Sequence, residues 1–293
     1  MDTAAPLPLP LPEPTRPSAD LPEMPNQPTR WTTWLGLLVV LGLAVVPMVV
    51  GISRPDVVDP AEAVAVATSV HSWRMQPSHN GNGNSLDDYA QRLIPWSNGR
   101  RSLDHAPGTW WVHQLAFLLT PEGEDANIDT LVLAARCSAV AFGLLTVAAV
   151  FWLGFSIGGQ RAAMLASLIC IAHPALIYHA HIAAPAIYHT GWAALSIAAA
   201  LWAIRPLKPP PSAERQLIGW VICGLALGAA TLTAGPITGV TVVMPIVILM
   251  LICQDRVGHL MGLLAAMFMG LLIVLPWIIY AHEYDPTSWQ QWM

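Results

Sequence analysis

Seven apolar runs, 34–52, 131–157, 162–178, 187–204, 217–233, 236–253 and 259–280, constrain this chain more than any other feature. Hydrocarbon offers no water to a bare N–H or C=O. A crossing segment must therefore satisfy its own backbone, which a helix of about 20 uncharged residues does. Composition agrees: 55% of residues are hydrophobic and 11% charged, and the mean hydropathy is +0.52. A soluble domain of this size could not hide so much apolar surface. The expectation is an all-α membrane protein with about seven transmembrane helices. The runs 162–178 and 217–233 are short for a full crossing and are expected to tilt or to be extended by interfacial residues.

Orientation follows from the positive charges of the short loops. If the N-terminus is cytoplasmic, the inner loops hold Arg161, then Arg205, Lys208 and Arg215, then Arg256, and the short outer loops hold no Lys or Arg. The long segment 53–130 then forms the first outer loop, on the extracytoplasmic side of a plasma (inner) membrane. Residues 1–30 carry proline at nearly every second or third position and no apolar run, so they read as a disordered cytoplasmic tail. They lack the basic start and apolar stretch of a secretory signal, and the first span is expected to serve as an uncleaved anchor. Residues 31–293 form the transmembrane unit.

Several function classes drop out. The net charge is −5 and no basic stripe occurs, which argues against nucleic acid. Cys137, Cys170, Cys223 and Cys253 fall inside spans without paired spacing and read as small apolar fillers. The basic, proline-stiffened "RPLKPPPSAER" reads as an inner connector near anionic headgroups. A transporter would need polar groups within its spans. Only Arg136 sits near a span end, where it is expected to snorkel outward.

The outer segment carries the chemistry. In "DPAEAVAVATSVHSW", Asp59, Pro60 and Glu62 fit an N-cap, a proline at the first helical position and a first-turn acid, which mark a helix start. A carboxylate held there by a rigid helix could equally act as a general base on a substrate hydroxyl or phosphate. In "NGRRSLDHAPGTWWVHQL", Arg100, Arg101 and His105 lie close together. Guanidinium forks suit the oxygens of a phosphate, whether that of a ligand or of a lipid headgroup. Trp110 and Trp111 are expected in an interfacial belt. In "HPALIYHAHIAAPAIYH", His173, His179, His181 and His189 read as interfacial imidazoles satisfied by water. The alternation of His179 and His181 would suit a metal ion only on a non-helical strand.

The order of these features resembles the GT-C glycosyltransferases that use polyprenyl-phosphate sugars, in the group of protein O-mannosyltransferases and lipid A aminoarabinose transferases. "HAPGTWWVHQL" sits where that family has a "KPP" or "HPP" motif. "LAARCSAVAFGLLTVAAVFWLG", "RAAMLASLICIAHPALIY", "LTAGPITGVTVVMPIVILML" and "VLPWIIYAHEYDPTSWQQWM" are similar to its second, third, sixth and seventh span regions. The chain departs at Ala61, where an aspartate is usual, at Ala106 for the first proline, at Ala184 and Ala186 for an arginine and an aspartate, and at Ala234 for a lysine.

The resemblance implies an inverting transfer of a hexosyl or pentosyl group from a polyprenyl-phosphate donor to an extracytoplasmic acceptor, protein, lipid or glycan. Asp59, or alternatively Glu62, would be the catalytic base. Arg100, Arg101 and His105 would hold the donor phosphate, with the polyprenyl tail in a groove between spans. No cofactor or metal ligand is assigned, and a divalent metal requirement stays open. The alternative is a catalytically inactive scaffold or lipid-carrier-binding subunit. The family generally continues beyond the point reached at Met293, so a truncated product, or a membrane partner supplying the C-terminal part, is also expected.

Overall fold

The computed structural model describes residues 30–53, 59–74, 96–97, 100–101, 106–121, 126–204, 212–251 and 256–284. Residues 1–29 of the proposed tail 1–30, His105 and Cys253 lie outside them; Arg30, the tail's last residue, begins the first helix. The regular structure of the described residues is helical apart from one antiparallel pair of two-residue strands. The helices are α1 (Arg30–Val49), α2 (Pro60–Arg74), α3 (Gly108–Leu118), α4 (Ile128–Ala172), α5 (Pro174–His181), α6 (Pro185–Ile204), α7 (Ala213–Ala234), α8 (Met244–Leu251) and α9 (Arg256–Tyr284). Strands β1 (Trp96–Ser97) and β2 (Arg100–Arg101) pair with Trp96 opposite Arg101. This is the expected all-α membrane architecture.

Among the described residues, five stretches are long and apolar enough to cross a membrane: Trp31–Val49, Ile128–Ala172, Pro185–Ile204, Ala213–Ile237 and Val257–Glu283. The longest is two spans. Gly159 takes φ 72° and ψ −163° inside α4, a left-handed value that side chains other than glycine resist. The chain folds back there, because a Cβ added at Gly154 would come 2.8 Å from the Cα of Ala163. The runs 131–157 and 162–178 are thus antiparallel arms of one hairpin. The second arm breaks at His173, whose extended backbone precedes Pro174 at the start of α5, since proline removes a helical donor and disfavours helix in the residue before it.

The expected sixth span, 236–253, is irregular. Gly235, at φ 72°, opens a 3-10 turn (Gly235–Ile237), a π turn follows (Gly239–Val243), and only α8 is regular α-helix. The expected span is a shorter apolar helix, Gly239–Leu251, and glycine and proline at 235–236 give its first turns no regular ladder.

Successive helices run back and forth between two ends of the bundle. At one end the Gln160 side-chain amide donates to Thr32 O at 2.9 Å. At the other, Arg136 reaches Ile52 O, and His181 Nε2 lies 2.9 Å from Val50 O. One core cluster joins α1, α4, α5 and α6 through residues such as Val40, Phe151, Leu176 and Tyr188. A second joins α6 through α9, with Trp220, Val242, Ile246 and Leu263. The segment between α1 and α4 is a packed layer too: Val66 and Trp73 of α2, Phe117 of α3, and Leu131 and Ala135 of α4 form a third. Trp110, expected in a lipid belt, is buried instead, at 5% exposure, in the helix whose start abuts α7.

Helices α7 and α9 touch through small residues. A Cβ on Gly224 would lie 2.7 Å from Ala266 O, and one on Gly228 would lie 3.0 Å from Gly270 O. In lipid such close backbone approach supplies the attraction that water expulsion supplies elsewhere. Gly224→Val should therefore destabilise the bundle by about 1–3 kcal/mol, seen as a lowered thermal midpoint in detergent. Gly42→Ala, where a Cβ meets nothing within 4 Å, should leave that midpoint unchanged or raise it.

Candidate active site

Asp59 and Glu62 begin the same helix and meet opposite environments. Asp59 Oδ1 accepts from the N–H of Ala61 at 2.7 Å and of Glu62 at 3.2 Å, so the expected N-cap is formed. Its Oδ2 accepts from the Tyr178 hydroxyl of α5 at 2.5 Å. The Tyr178 hydrogen bond, helped by the two backbone donors, holds the Asp59 carboxyl below the usual carboxylate range. Asp59 is only partly covered and stands at the edge of the bundle.

Three residues on, Glu62 is completely buried. It takes both prongs of a guanidinium fork, Arg136 Nε at 2.7 Å on Oε1 and NH2 at 3.0 Å on Oε2. The N–H of Ala183, in the short turn between α5 and α6, adds a third donor at 3.2 Å. Arg136 spends a further donor on Ile52 O at 3.2 Å, just past α1. Arg136 therefore does not snorkel. At 5% exposure it is turned inward by its partner, since a buried charge is tolerated only when paired and hydrogen-bonded.

Behind the pair lies a polar hub that the sequence did not reveal. His113 of α3 is fully buried. Ser69 Oγ donates to Ala65 O at 2.7 Å, which leaves it to accept from His113 Nδ1 at 2.8 Å. The other ring nitrogen, Nε2, lies 2.9 Å from the Tyr188 hydroxyl, which also reaches Ala135 O at 3.1 Å. Ser138 Oγ lies 2.8 Å from the same hydroxyl. Helices α2, α3, α4 and α6 are joined at this one imidazole. Burial pushes it down to about 3, so it is neutral at physiological pH.

Of the sequence candidates for the phosphate, Arg100 and Arg101 lie in β2, and its partner β1 packs against α2. The pairing brings their backbone beside the helix that Asp59 begins. The histidines of the next turn do not converge. His179 and His181 are on a helix, not a strand, and His189 Nε2 lies 3.1 Å from Thr241 Oγ1. Among the described residues no group of three His, Cys, Asp or Glu comes together to hold a metal. Among the positions where the family's charges were expected, Ala184 is buried and Ala61 and Ala186 are exposed.

Two cavities flank the first turns of α4. An apolar groove of about 520 Å³ runs between α3 and α4, lined by Leu115, Ala116, Leu119, Leu133, Cys137 and Phe142 among others. A more polar pocket of about 360 Å³ is lined by Ile52, Ser53, Asn127, Asp129 and Arg136. Thr130 and Leu133 line both.

The family model described as dolichyl-phosphate-mannose-protein mannosyltransferase matches residues 108–290. The chain belongs to this family. Its fold is similar to that of ArnT from Cupriavidus metallidurans in the apo state, with a TM-score of 0.66 and 21% identity over 89% of this chain and 44% of that one. ArnT bound to undecaprenyl phosphate matches likewise, with a TM-score of 0.68 and 21% identity over 88% and 43%. The mannosyltransferase-family chain thus spans less than half the length of the solved structures it matches. Among curated proteins none matches the sequence. The resemblance to GT-C glycosyltransferases read from the motifs is borne out by the family and by the all-helical fold.

Two outcomes follow from this geometry. Glu62→Gln should cost about 3–5 kcal/mol by leaving Arg136 buried without its counter-charge, read as a lowered unfolding midpoint in detergent. Removing both charges, Glu62→Leu with Arg136→Met, should recover part of that loss. His113 is held neutral, so the stability it contributes is present above its ordinary value of 6.5 and is lost as pH falls from there toward 3. A His113→Leu variant, weaker at neutral pH, should show a shallower fall in thermal midpoint over that window than the parent.

Proposed function

We propose that this chain transfers a sugar from a polyprenyl-phosphate donor to a hydroxyl-bearing acceptor at the bundle end where Asp59 lies. Family membership supports the reaction class. The contrast between the two carboxylates supports the choice of base. Glu62 is buried and neutralised by Arg136, whereas Asp59 is partly exposed. An ionised carboxylate has about four acceptor positions, and the described partners of Asp59 take two on Oδ1 and one on Oδ2. One position on Oδ2 is left, the observation that carries this reading.

In the step proposed, the acceptor hydroxyl gives its proton to Asp59 Oδ2 while its oxygen forms a bond to the anomeric carbon of the sugar. The bond from that carbon to the donor phosphate oxygen breaks, its electron pair leaves with the polyprenyl phosphate, and attack from the opposite face inverts the centre. Arg100, Arg101 and His105 would stabilise the departing phosphate, an effect worth several kcal/mol when donors are preorganised away from water. Glu62 is then a positioning residue, because it ties the start of α2 to α4. The groove between α3 and α4 suits a hydrocarbon chain in its apolar lining.

The sidedness proposed is an N-terminus in the cytoplasm and the Asp59 end facing outward. The opposite end of the bundle, where α7 begins, carries Arg215, whose Nε donates to Trp202 O, and Arg161 follows the turn at Gly159. Cationic residues on the inner side agree with the orientation rule.

Asp59→Asn should abolish transfer of labelled sugar in reconstituted vesicles while insertion, yield and thermal midpoint stay near those of the parent. Full turnover by that variant would remove Asp59 from the chemistry. An inactive lipid-carrier-binding subunit would instead bind polyprenyl phosphate with no transfer by the parent to any acceptor.

A further inference from the structure

We infer that Tyr178 is a positioning residue for Asp59, its hydroxyl fixing which carboxylate oxygen is presented to the acceptor and how tightly that oxygen holds a proton. The inference rests on the reading of Asp59 as the base, and nothing in the sequence motifs singled Tyr178 out. Without the phenol the Asp59 carboxylate would be held at one oxygen only, by the first N–H groups of α2, at 2.7 and 3.2 Å. The second oxygen would be free to bind water in several arrangements. The Tyr178 hydroxyl, 2.5 Å from Oδ2, removes that freedom and leaves the one remaining acceptor position of the group on the same oxygen.

The contact is built by the fold and spans 119 residues of sequence. Tyr178 sits on α5, which Pro174 starts afresh after the break at His173. Helix α5 is tied to the end of α1 by His181, whose Nε2 lies 2.9 Å from Val50 O. Helix α2 is tied to the turn following α5 by Glu62, which accepts from Ala183 N–H. Asp59 and Tyr178 are therefore brought together from two rigid helices locked at both ends of one turn. The phenol is 51% exposed, so its hydroxyl is spent on Asp59 without being sealed from an incoming substrate.

The other titratable and charged groups facing this pair among the described residues are His179 on α5, which acts on Asp59 through its charge, and Glu62 on α2 with its partner Arg136 on α4. Glu62 and Arg136 neutralise each other, and His179 is unchanged by a substitution at 178. The direct hydrogen bond is the part that a phenylalanine removes.

The test is Tyr178→Phe in the full chain, which deletes one exposed oxygen and leaves the ring. Infrared difference spectra of protein carrying 13C-labelled aspartate identify the Asp59 carboxylate as the band lost in Asp59→Asn. That band should titrate at higher pH in Tyr178→Phe than in the parent, because the ionised form has lost a donor. In vesicles, the acid limb of kcat/KM with a short polyprenyl-phosphate sugar should move to higher pH in the same variant, with KM for the donor unchanged. A purely structural role would lower kcat evenly at every pH and leave the limb in place. An Asp59 band that titrates identically in the two proteins overturns the inference, whatever the activity. A band that shifts while the limb does not removes Asp59 as the base, and with it the positioning role in transfer.

Discussion

The arrangement of the Asp59 end depends on one buried ion pair. Glu62 and Arg136 are 74 residues apart in sequence, and their contact draws together the start of α2, the first turns of α4, the end of α1 and the turn between α5 and α6. An unpaired charge at that depth would be costly by several kcal/mol. Neither side chain can therefore leave without the other, and the elements that carry them are held at one register. The pair acts as a register device more than as a source of net stability, since its Coulombic gain is largely offset by the desolvation of both ions.

With that register set, two carboxylates three residues apart acquire opposite duties. Helix periodicity turns Glu62 inward while the N-cap position holds Asp59 at the rim. Burial with a full set of donors makes Glu62 electrically silent toward anything outside. Asp59, by contrast, is partly exposed, tied at its first oxygen by the helix start and at its second by the Tyr178 hydroxyl, with one acceptor position left. The neutral His113 hub gives the layer below the same rigidity without charge. A protonated imidazole there would carry a charge into a fully buried site that provides no carboxylate partner among the described contacts of its ring.

Much of the fold was legible because lipid imposes a demand that sequence must meet run by run. The seven apolar stretches correspond to helical segments, and the helix start at Asp59 was readable from its cap chemistry, which is local. What the sequence could not show were contacts between distant residues. Arg136 was expected to reach outward because its partner lies 74 positions away. Trp110 looked interfacial because nothing in its neighbourhood announces α7, and His113 looked like one more polar residue on an amphipathic helix. Tyr178 stood unnoticed among histidines that were more conspicuous. The irregular start of the sixth span was hinted at by glycine and proline at 235 and 236, but the π turn that follows depends on packing.

Charge accounting then carries one more step. Among the described residues around Asp59, Glu62 and Arg136 cancel, and Asp59 faces the partial positive charge at the start of α2 and the imidazole of His179. The carboxylate at the rim offers a phosphate no attraction of its own. If a polyprenyl-phosphate donor is used, cationic groups must come from elsewhere on the same face. The strand pair is the element at hand, since β1 packs on α2 and its partner β2 consists of Arg100 and Arg101. The resemblance would put an arginine, an aspartate and a lysine where the chain has Ala184, Ala186 and Ala234. The same substitutions leave the buried pair intact, because Glu62 draws its donors from Arg136 and from the backbone N–H of Ala183, which any residue but proline would supply at that position.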